Sequence, residues 1–459
     1  MSELPSRRQH RSGGWVSGII DRLKRWRRAP LAVAITAGLA IFIDMLIYGI
    51  IVPVAPDLLK KVGKDTTMAN GVLFGCFGIG ILVMSPIFGY VSDRYNTRKW
   101  PMIVGLIGLI VGTIFFAIAE HYWELIVARI AQGAASGITW SISLSMVSDA
   151  YPKEMHGQVM GSVFGCNVIG FLIGPTIGGI LYKYGGHLAP FIFSAVLTGI
   201  DLLARLYLQS TAAIESTTAE VSKSSPNDTI SPSSGNAEPR EKATMLKLIT
   251  SPQILICLLA TLIVGGTYSS IDPTLPIHLR NIFNMSSDQI GYMFIAMVLP
   301  NAITSPIIGK YTDNNYERVP RMLVTGLGFL VMAPMLVLLA VPRTVWLEVI
   351  FLVIVGTFAA IAVVPIMPEL GARMEKLGGG AAGQLFSIFN AAWATGMIAG
   401  PIVSGILVDA VGFLNAMFVL GGILLVACPI VWYTPIKQVL AARRRDRMAV
   451  QTEDSVETA

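Results

Sequence analysis

The sequence predicts an all-α membrane protein of twelve transmembrane helices in two six-helix halves of like topology. Three observations carry this. Of 459 residues, 53% are hydrophobic and 14% charged, with a mean hydropathy of +0.64. A soluble domain is about a quarter charged, so this chain cannot coat the roughly three soluble domains its length would otherwise suggest. Apolar runs of about 20 residues, the length a helix needs to cross a ~30 Å hydrocarbon core, recur twelve times. Two motifs also repeat at offsets of 220 and 226 residues. The 45 glycines and 25 prolines fit the same class, being commoner in membrane helices than in soluble ones.

Residues 1–30 form a basic N-terminal arm without the short apolar core and cleavage site of a signal peptide. Within it Trp15, Ile19, Leu23 and Trp26 share one helical face among cations. Two readings stand: an amphipathic helix on an anionic leaflet, or a solvated arm that fixes orientation. The N-terminal half, 31–209, holds spans near 31–54, 69–90, 100–118, 123–147, 157–181 and 188–209. Residues 210–251 are polar and rich in Ser and Pro, a disordered linker by composition. The C-terminal half, 252–433, holds spans near 252–277, 289–310, 321–341, 344–368, 381–408 and 413–433. A tail follows at 434–459.

Of the 34 lysines and arginines, 26 fall on the side of the termini and linker, and six on the other side. Arg129 and Arg205 lie within spans. The positive-inside rule therefore places both termini and the linker in the cytosol, and the sequon at Asn227 goes unused there. The net charge of +6 reports membrane topology and gives no reason to expect nucleic acid as a partner.

The repeats support the halves. Ser85-Pro86-Ile87-x-Gly89-x-x-x-Asp93 returns as Ser305-Pro306-Ile307-x-Gly309-x-x-x-Asp313. Gly174-Pro175-x-x-x-Gly179-Ile180-Leu181 returns as Gly400-Pro401-x-x-x-Gly405-Ile406-Leu407. Carriers with such repeats bind substrate near the midplane between them.

Other classes fit less well. Cys76, Cys166, Cys257 and Cys428 are scattered through apolar runs without metal or redox spacing. The five histidines lie at or outside the ends of apolar runs, so neither a metal site nor a cofactor is expected. An intramembrane enzyme would need a nucleophile, a base and an orienting group at membrane depth. Ser141, Ser143 and Ser145 have no evident base. No Walker motif marks an ATP-driven pump.

Three signatures carry a family resemblance. Gly89-Tyr90-Val91-Ser92-Asp93-Arg94-Tyr95-Asn96-Thr97-Arg98-Lys99 resembles the loop 2–3 signature of the major facilitator superfamily. Arg129-Ile130-Ala131-Gln132-Gly133 resembles its fourth-helix motif. The run Gly170 to Gly179, with Gly174, Pro175 and Gly178, resembles the fifth-helix motif of its antiporters. The likeness spans roughly residues 30–435 and implies the major facilitator fold. Asp44-Met45-Leu46 with Val52-Pro53-Val54-Ala55-Pro56, Asp201, Asp272-Pro273-Thr274-Leu275-Pro276 and Pro365-Ile366-Met367 are similar to the vesicular monoamine and acetylcholine transporters, twelve-helix drug:proton antiporters. The chain departs from that branch too. The branch's charged positions in helices 2, 10 and 11 fall on Phe77, Ala360 and Asn390, and its helix 7 glutamate is shortened to Asp272.

Charge inside an apolar span is costly and needs a partner or a watery cavity. Asp44, mid-span, is a candidate for a substrate cation or the coupled proton. Arg129 cannot shed its proton and needs a carboxylate, with Asp44 the first candidate and Asp272 the second. Gln132, one turn on, suits substrate or a neighbouring helix. Pro273 and Pro276 are expected to break or bend the helix beside Asp272, which suits a gate. Asp201 and Arg205, four apart, share a helix face; Asp201 is either a further substrate or proton candidate or simply the ion-pair partner of Arg205. Asn390 is the best placed of the asparagines Asn167, Asn301 and Asn390. Trp140, Phe164, Tyr268 and Trp393 supply aromatic surface.

In the loop signature Asp93 is expected to cap a neighbouring helix while Arg94, Arg98 and Lys99 hold helix ends, a latch on one conformation. Its second copy keeps only Gly309 and Asp313. Gly161, Gly165, Gly170, Gly174, Gly178 and Gly179 allow close helix approach. The expected function is export of small organic molecules, drugs or metabolites, by proton antiport with alternating access. A vesicular or vacuolar amine or metabolite loader and an uncoupled facilitator are the alternatives. The expected partners are substrate, protons and lipid, with the chain a monomer in the plasma membrane or a vacuolar or vesicular membrane.

Overall fold

The computed structural model describes residues 30–95, 97–151, 155–209, 251–315, 319–341, 344–376 and 382–433. The N-terminal arm, Asn227 with its linker, the C-terminal tail and the side chain of Asp93 lie outside the described residues. The first half comprises α1 (Pro30–Ile51), α2 (Ala55–Lys61), α3 (Thr67–Arg94), α4 (Lys99–Ile118), α5 (Tyr122–Ala150), α6 (His156–Gly185) and α7 (Ala189–Gln209). The second comprises α8 (Pro252–Phe283), α9 (Ser287–Asn314), α10 (Arg321–Leu338), α11 (Val345–Val363), α12 (Ile366–Lys376), α13 (Ala382–Val411) and α14 (Phe413–Tyr433).

Eleven of the spans are long and apolar enough to cross a membrane on their own composition. The twelfth, α5, has 29 residues but carries Glu124, Arg129, Gln132 and Asp149. It sits against α1, α3 and α4, and Arg129 and Gln132 are buried in that contact. The tenth span departs from expectation: Pro365 separates α11 from the short α12, because proline lacks the donor that would continue the helix. Conversely, α8 runs unbroken through Pro273 and Pro276. Ser269, Ser270 and Thr274 donate to carbonyls one turn back, each at 2.7 Å, and such local bonds help a membrane helix tolerate proline.

Close backbone approach fixes the helix pairs. A Cβ on Gly170, Gly174 or Gly178 would meet the carbonyls of Phe42, Leu46 and Ile50, one per turn of α1. Gly179 instead faces the Ser287 carbonyl of α9, across the two halves. The second half repeats this. Gly396 and Gly400 of α13 meet the Leu262 and Gly266 carbonyls of α8, and Gly405 meets Thr67 of α3 across the halves. Gly161 and Gly165 differ from expectation, since a Cβ there meets nothing; α6 meets α1 at this level through Val163 and Cys166 instead. Gly89 is likewise open.

This gives a stability test. Gly179→Ala and Gly405→Ala must displace carbonyls of the opposite half, and such overpacking costs about 1–3 kcal/mol. Gly161→Ala and Gly165→Ala should stay within about 0.5 kcal/mol of the parent. Thermal unfolding of the four purified variants checks the ranking.

We call the end at which α1 begins the near end, and the other the far end. At the far end the halves are joined by polar contacts. Arg280 donates to Asp57 at 2.5 and 2.9 Å, and Ser287 Oγ to the same carboxylate at 2.8 Å. Lys183 pairs with Asp288 at 2.9 Å. Asp409 accepts from the Thr67 and Met68 backbone N–H groups at 3.0 and 2.7 Å, complementing the positive N-terminus of α3.

Candidate functional site

One face of α5 organises the interior of the first half. Arg129, Gln132, Ser136 and Trp140 recur at helical spacing, so they point the same way. Asp44 of α1 is 1% exposed. Its Oδ2 accepts from Ser136 Oγ at 2.5 Å and from Trp140 Nε1 at 3.1 Å, while Oδ1 has no partner. Trp140 lies 5.6 Å from Phe164, ring centre to centre, and both rings are half-buried. The result is a carboxylate with one oxygen held and one free, beside an aromatic pair.

The expected Asp44–Arg129 pair is not formed. Asp44 bonds at the level of Ser136 and Trp140, two or more turns along α5, and seven residues of helix rise about 10 Å. Arg129, 0% exposed, occupies a box of four rings. Its guanidinium carbon lies 4.7 Å from the centre of Phe74, 5.3 Å from Tyr48, 5.4 Å from Phe77 and 5.8 Å from Phe116. Nη1 donates to Gln132 Oε1 at 3.4 Å, and Nε and Nη2 have no partner. Gln132 passes its own donor to Thr113 Oγ1 at 3.2 Å.

Asp272 of α8 is also buried, and the helix expected to break or bend beside it continues unbroken. Its Oδ2 accepts from the Tyr48 hydroxyl at 2.8 Å, and Oδ1 is unpartnered. Tyr48 stands four residues after Asp44, on the same face of α1. Beside it, Asn70 Nδ2 donates to the Pro273 carbonyl at 2.7 Å. Asp272, the second candidate partner for Arg129, thus meets it through the Tyr48 ring.

The remaining candidates lie apart. Asp201 and Arg205 form a buried pair at 2.9 Å, and Arg205 also donates to the Thr36 carbonyl, tying α7 to α1. Asn390 is half-buried and makes no hydrogen bond among the described residues. Asn301 donates to Gly356 O at 3.3 Å. In the loop signature Arg98 donates to Asp149 at 2.9 Å and to Ser92 Oγ at 2.7 Å, so it ties α4 to the end of α5. Arg94 is exposed and Lys99 half-buried. The second copy is less reduced than its sequence suggests, since Asp313 pairs with Arg321 at 2.8 Å.

Sequence reasoning missed Tyr48, Asn70, Ser136 and Glu348. Glu348 of α11 is 0% exposed, with neither oxygen partnered; a lone carboxylate inside Val345-Trp346-Leu347-Glu348-Val349-Ile350 was the available signal. His278, expected at a span end, lies within α8, stacked on Phe413 at 3.8 Å. Two cavities mark the far end. One of about 360 Å³ touches Thr67, Thr274, His278 and Asp409. The other, of about 440 Å³, touches Asp57, Lys60, Lys183 and Arg280. Among the described residues no group of His, Cys, Asp and Glu suited to a metal comes together.

Comparison with known proteins agrees with this architecture. The family model described as Major Facilitator Superfamily matches residues 37–375 and 257–453. An MFS-type transporter of Schizosaccharomyces pombe is 27% identical over 422 residues, covering 86% of this chain and 93% of that protein. The human chromaffin granule amine transporter is 27% identical over 369 residues, covering 79% and 64%. Among solved structures, a bacterial homolog of the human lysosomal transporter Spinster superposes with a TM-score of 0.71 at 13% identity, covering 88% and 96%.

Proposed function

Since the chain belongs to the major facilitator superfamily, and is thus a multi-pass membrane transporter rather than an enzyme, we propose that it exports small organic molecules from the cytosol in exchange for protons. One observation carries the reading. Each half contributes a buried carboxylate, Asp44 or Asp272, with an unpartnered oxygen and no ion-paired cation. A buried carboxylate is stable there as a neutral acid, or as an anion with a counter-charge. It therefore exchanges a proton for a substrate cation.

Asp44 is the substrate group in this scheme. Its free Oδ1 accepts from a protonated amine, and the neighbouring Trp140–Phe164 pair gives that cation an aromatic face. Asp272 carries the proton. The far-end contacts hold that end shut here, and they part when the halves rock to expose the site to the other side. The lysine and arginine bias makes the near end cytosolic.

The aromatic setting of Asp44 and the likeness to an amine transporter favour a second reading, a vesicular or vacuolar amine loader. It uses the same chemistry in another membrane. The test is a pH jump. Proteoliposomes loaded at acid pH should accumulate a fluorescent aromatic monoamine from neutral medium, and a protonophore should abolish the accumulation. Uptake that ignores the gradient would mark an uncoupled facilitator.

A further inference from the structure

The contacts at Asp272 join the two halves, and this gives Tyr48 a role that its ring alone would not. The Tyr48 hydroxyl belongs to α1 of the first half, and the carboxylate it reaches belongs to α8 of the second. One residue further along α8, the Pro273 carbonyl takes a second cross-half bond from Asn70 of α3. Both bonds lie next to the far-end cavity lined by Thr67 and Thr274. Tyr48 is fixed on its other faces by Phe74, Phe77 and Phe171, at 5.7, 4.9 and 6.0 Å, so its hydroxyl has little freedom to seek another acceptor.

We propose that Tyr48 is a positioning residue: its hydrogen bond to ionised Asp272, seconded by Asn70 on Pro273, clasps the far end shut while Asp272 is empty, and a proton on Asp272 releases the clasp. A hydrogen bond to an ionised acceptor is about twice as strong as one between neutral groups, so protonation weakens this bond without moving an atom. With Asp272 ionised the carrier then stays shut at the far end, whereas the proton-loaded carrier is free to open there. The clasp itself stands on geometry; its consequence for transport rests on the proton-coupled reading above.

The surroundings supply few competitors. Asp272 faces Tyr48 from α1, Arg129 from α5 and Tyr268 from its own helix. From α3 it meets Asn70, with Cys76 lying toward Arg129. From α13 come Ser404, on the Ser270 carbonyl, and Asp409, which lines the same cavity as Thr274 and His278 and holds the Thr67 and Met68 N–H groups. The other charges on elements touching α8 have different roles. Asp57 holds Arg280, Asp288 holds Lys183, and Glu369 holds Arg373. Glu348 of α11 is unpartnered and is the control for a pH response arising elsewhere.

The experiment uses the full chain in nanodiscs with the native cysteines replaced and Thr274→Cys added. Thr274 is 1% exposed and bonds only within its own helix, so a water-soluble maleimide reaches it when the far end opens. An exposed Asp65→Cys corrects for the pH dependence of the thiol itself. Between about pH 8 and about pH 5, a range chosen for a buried carboxylate, corrected labelling should rise about tenfold as pH falls. Tyr48→Phe keeps the ring and loses the hydroxyl. It should label fast at every pH, as should Asp272→Asn, and the double variant should add nothing to either. Glu348→Gln should keep the parent profile.

A Tyr48→Phe protein with the parent's pH response would overturn the clasp. So would additive effects of the two variants, or a response lost only in Glu348→Gln. If Thr274→Cys misfolds, Thr67→Cys reports on the same cavity. Flux in the parent decides the other question: transport that ignores the gradient sinks proton antiport, while a Tyr48-dependent labelling profile leaves the clasp in place.

Discussion

Asp44→Asn is expected to remove gradient-driven transport while leaving the fold intact. Ser136 Oγ and Trp140 Nε1 both donate to one carboxylate oxygen. The asparagine carbonyl accepts the same two bonds with the same shape. What disappears is the negative charge and the ability to take a proton. Losing one partner of a buried charged contact costs about 2–5 kcal/mol, so the expected loss of accumulation is on the order of a hundredfold. The measurement is monoamine accumulation in acid-loaded proteoliposomes, with thermal unfolding as the control for folding. Asp44→Glu keeps the charge and should restore part of the flux. An Asp44→Asn protein that accumulates the probe like its parent would remove Asp44 from the substrate site.

That Asp44 is a candidate was legible in the sequence, because a carboxylate in the middle of an apolar run stands out against everything around it. Arg129, Asp201, Arg205 and Asp272 were legible for the same reason. So were the two halves, because Gly174-Pro175 and Gly400-Pro401 mark the same packing event twice. Partners were a different matter. Pairing Arg129 with Asp44 required the depth of each residue and the rotation of two helices, and apolar periodicity fixes neither. Two turns of α5 separate the levels at which they bond. Tyr48 and Asn70 are ordinary residues in a membrane helix until α8 is placed against α1 and α3. The glycines divide for a similar reason: Gly161 and Gly165 look like Gly170 and Gly174 in sequence, but only the second pair faces the backbone of α1.

Arg129 carries the second large expectation, in which stability and function part company. It is fully buried, two of its nitrogens have no hydrogen-bond partner, and no carboxylate among the described residues pairs with it. Four rings supply cation–π attraction, worth about 2 kcal/mol or more when desolvated. Removing the cation from water costs several kcal/mol. Arg129 is thus a net burden on the folded state, and methionine, flexible and apolar, would fill the box between Tyr48, Phe74, Phe77 and Phe116. Arg129→Met should unfold at the parent's temperature or above it. Its transport should fall by on the order of a hundredfold, because the field of Arg129 is the cationic one that reaches Asp272 and Tyr48. Without it the proton cycle at Asp272 has no counter-charge in the interior. Paired unfolding and flux measurements on one preparation decide the matter. A variant that is markedly less stable would make Arg129 a structural cation, and one that is stable and transports normally would make the aromatic box mere packing.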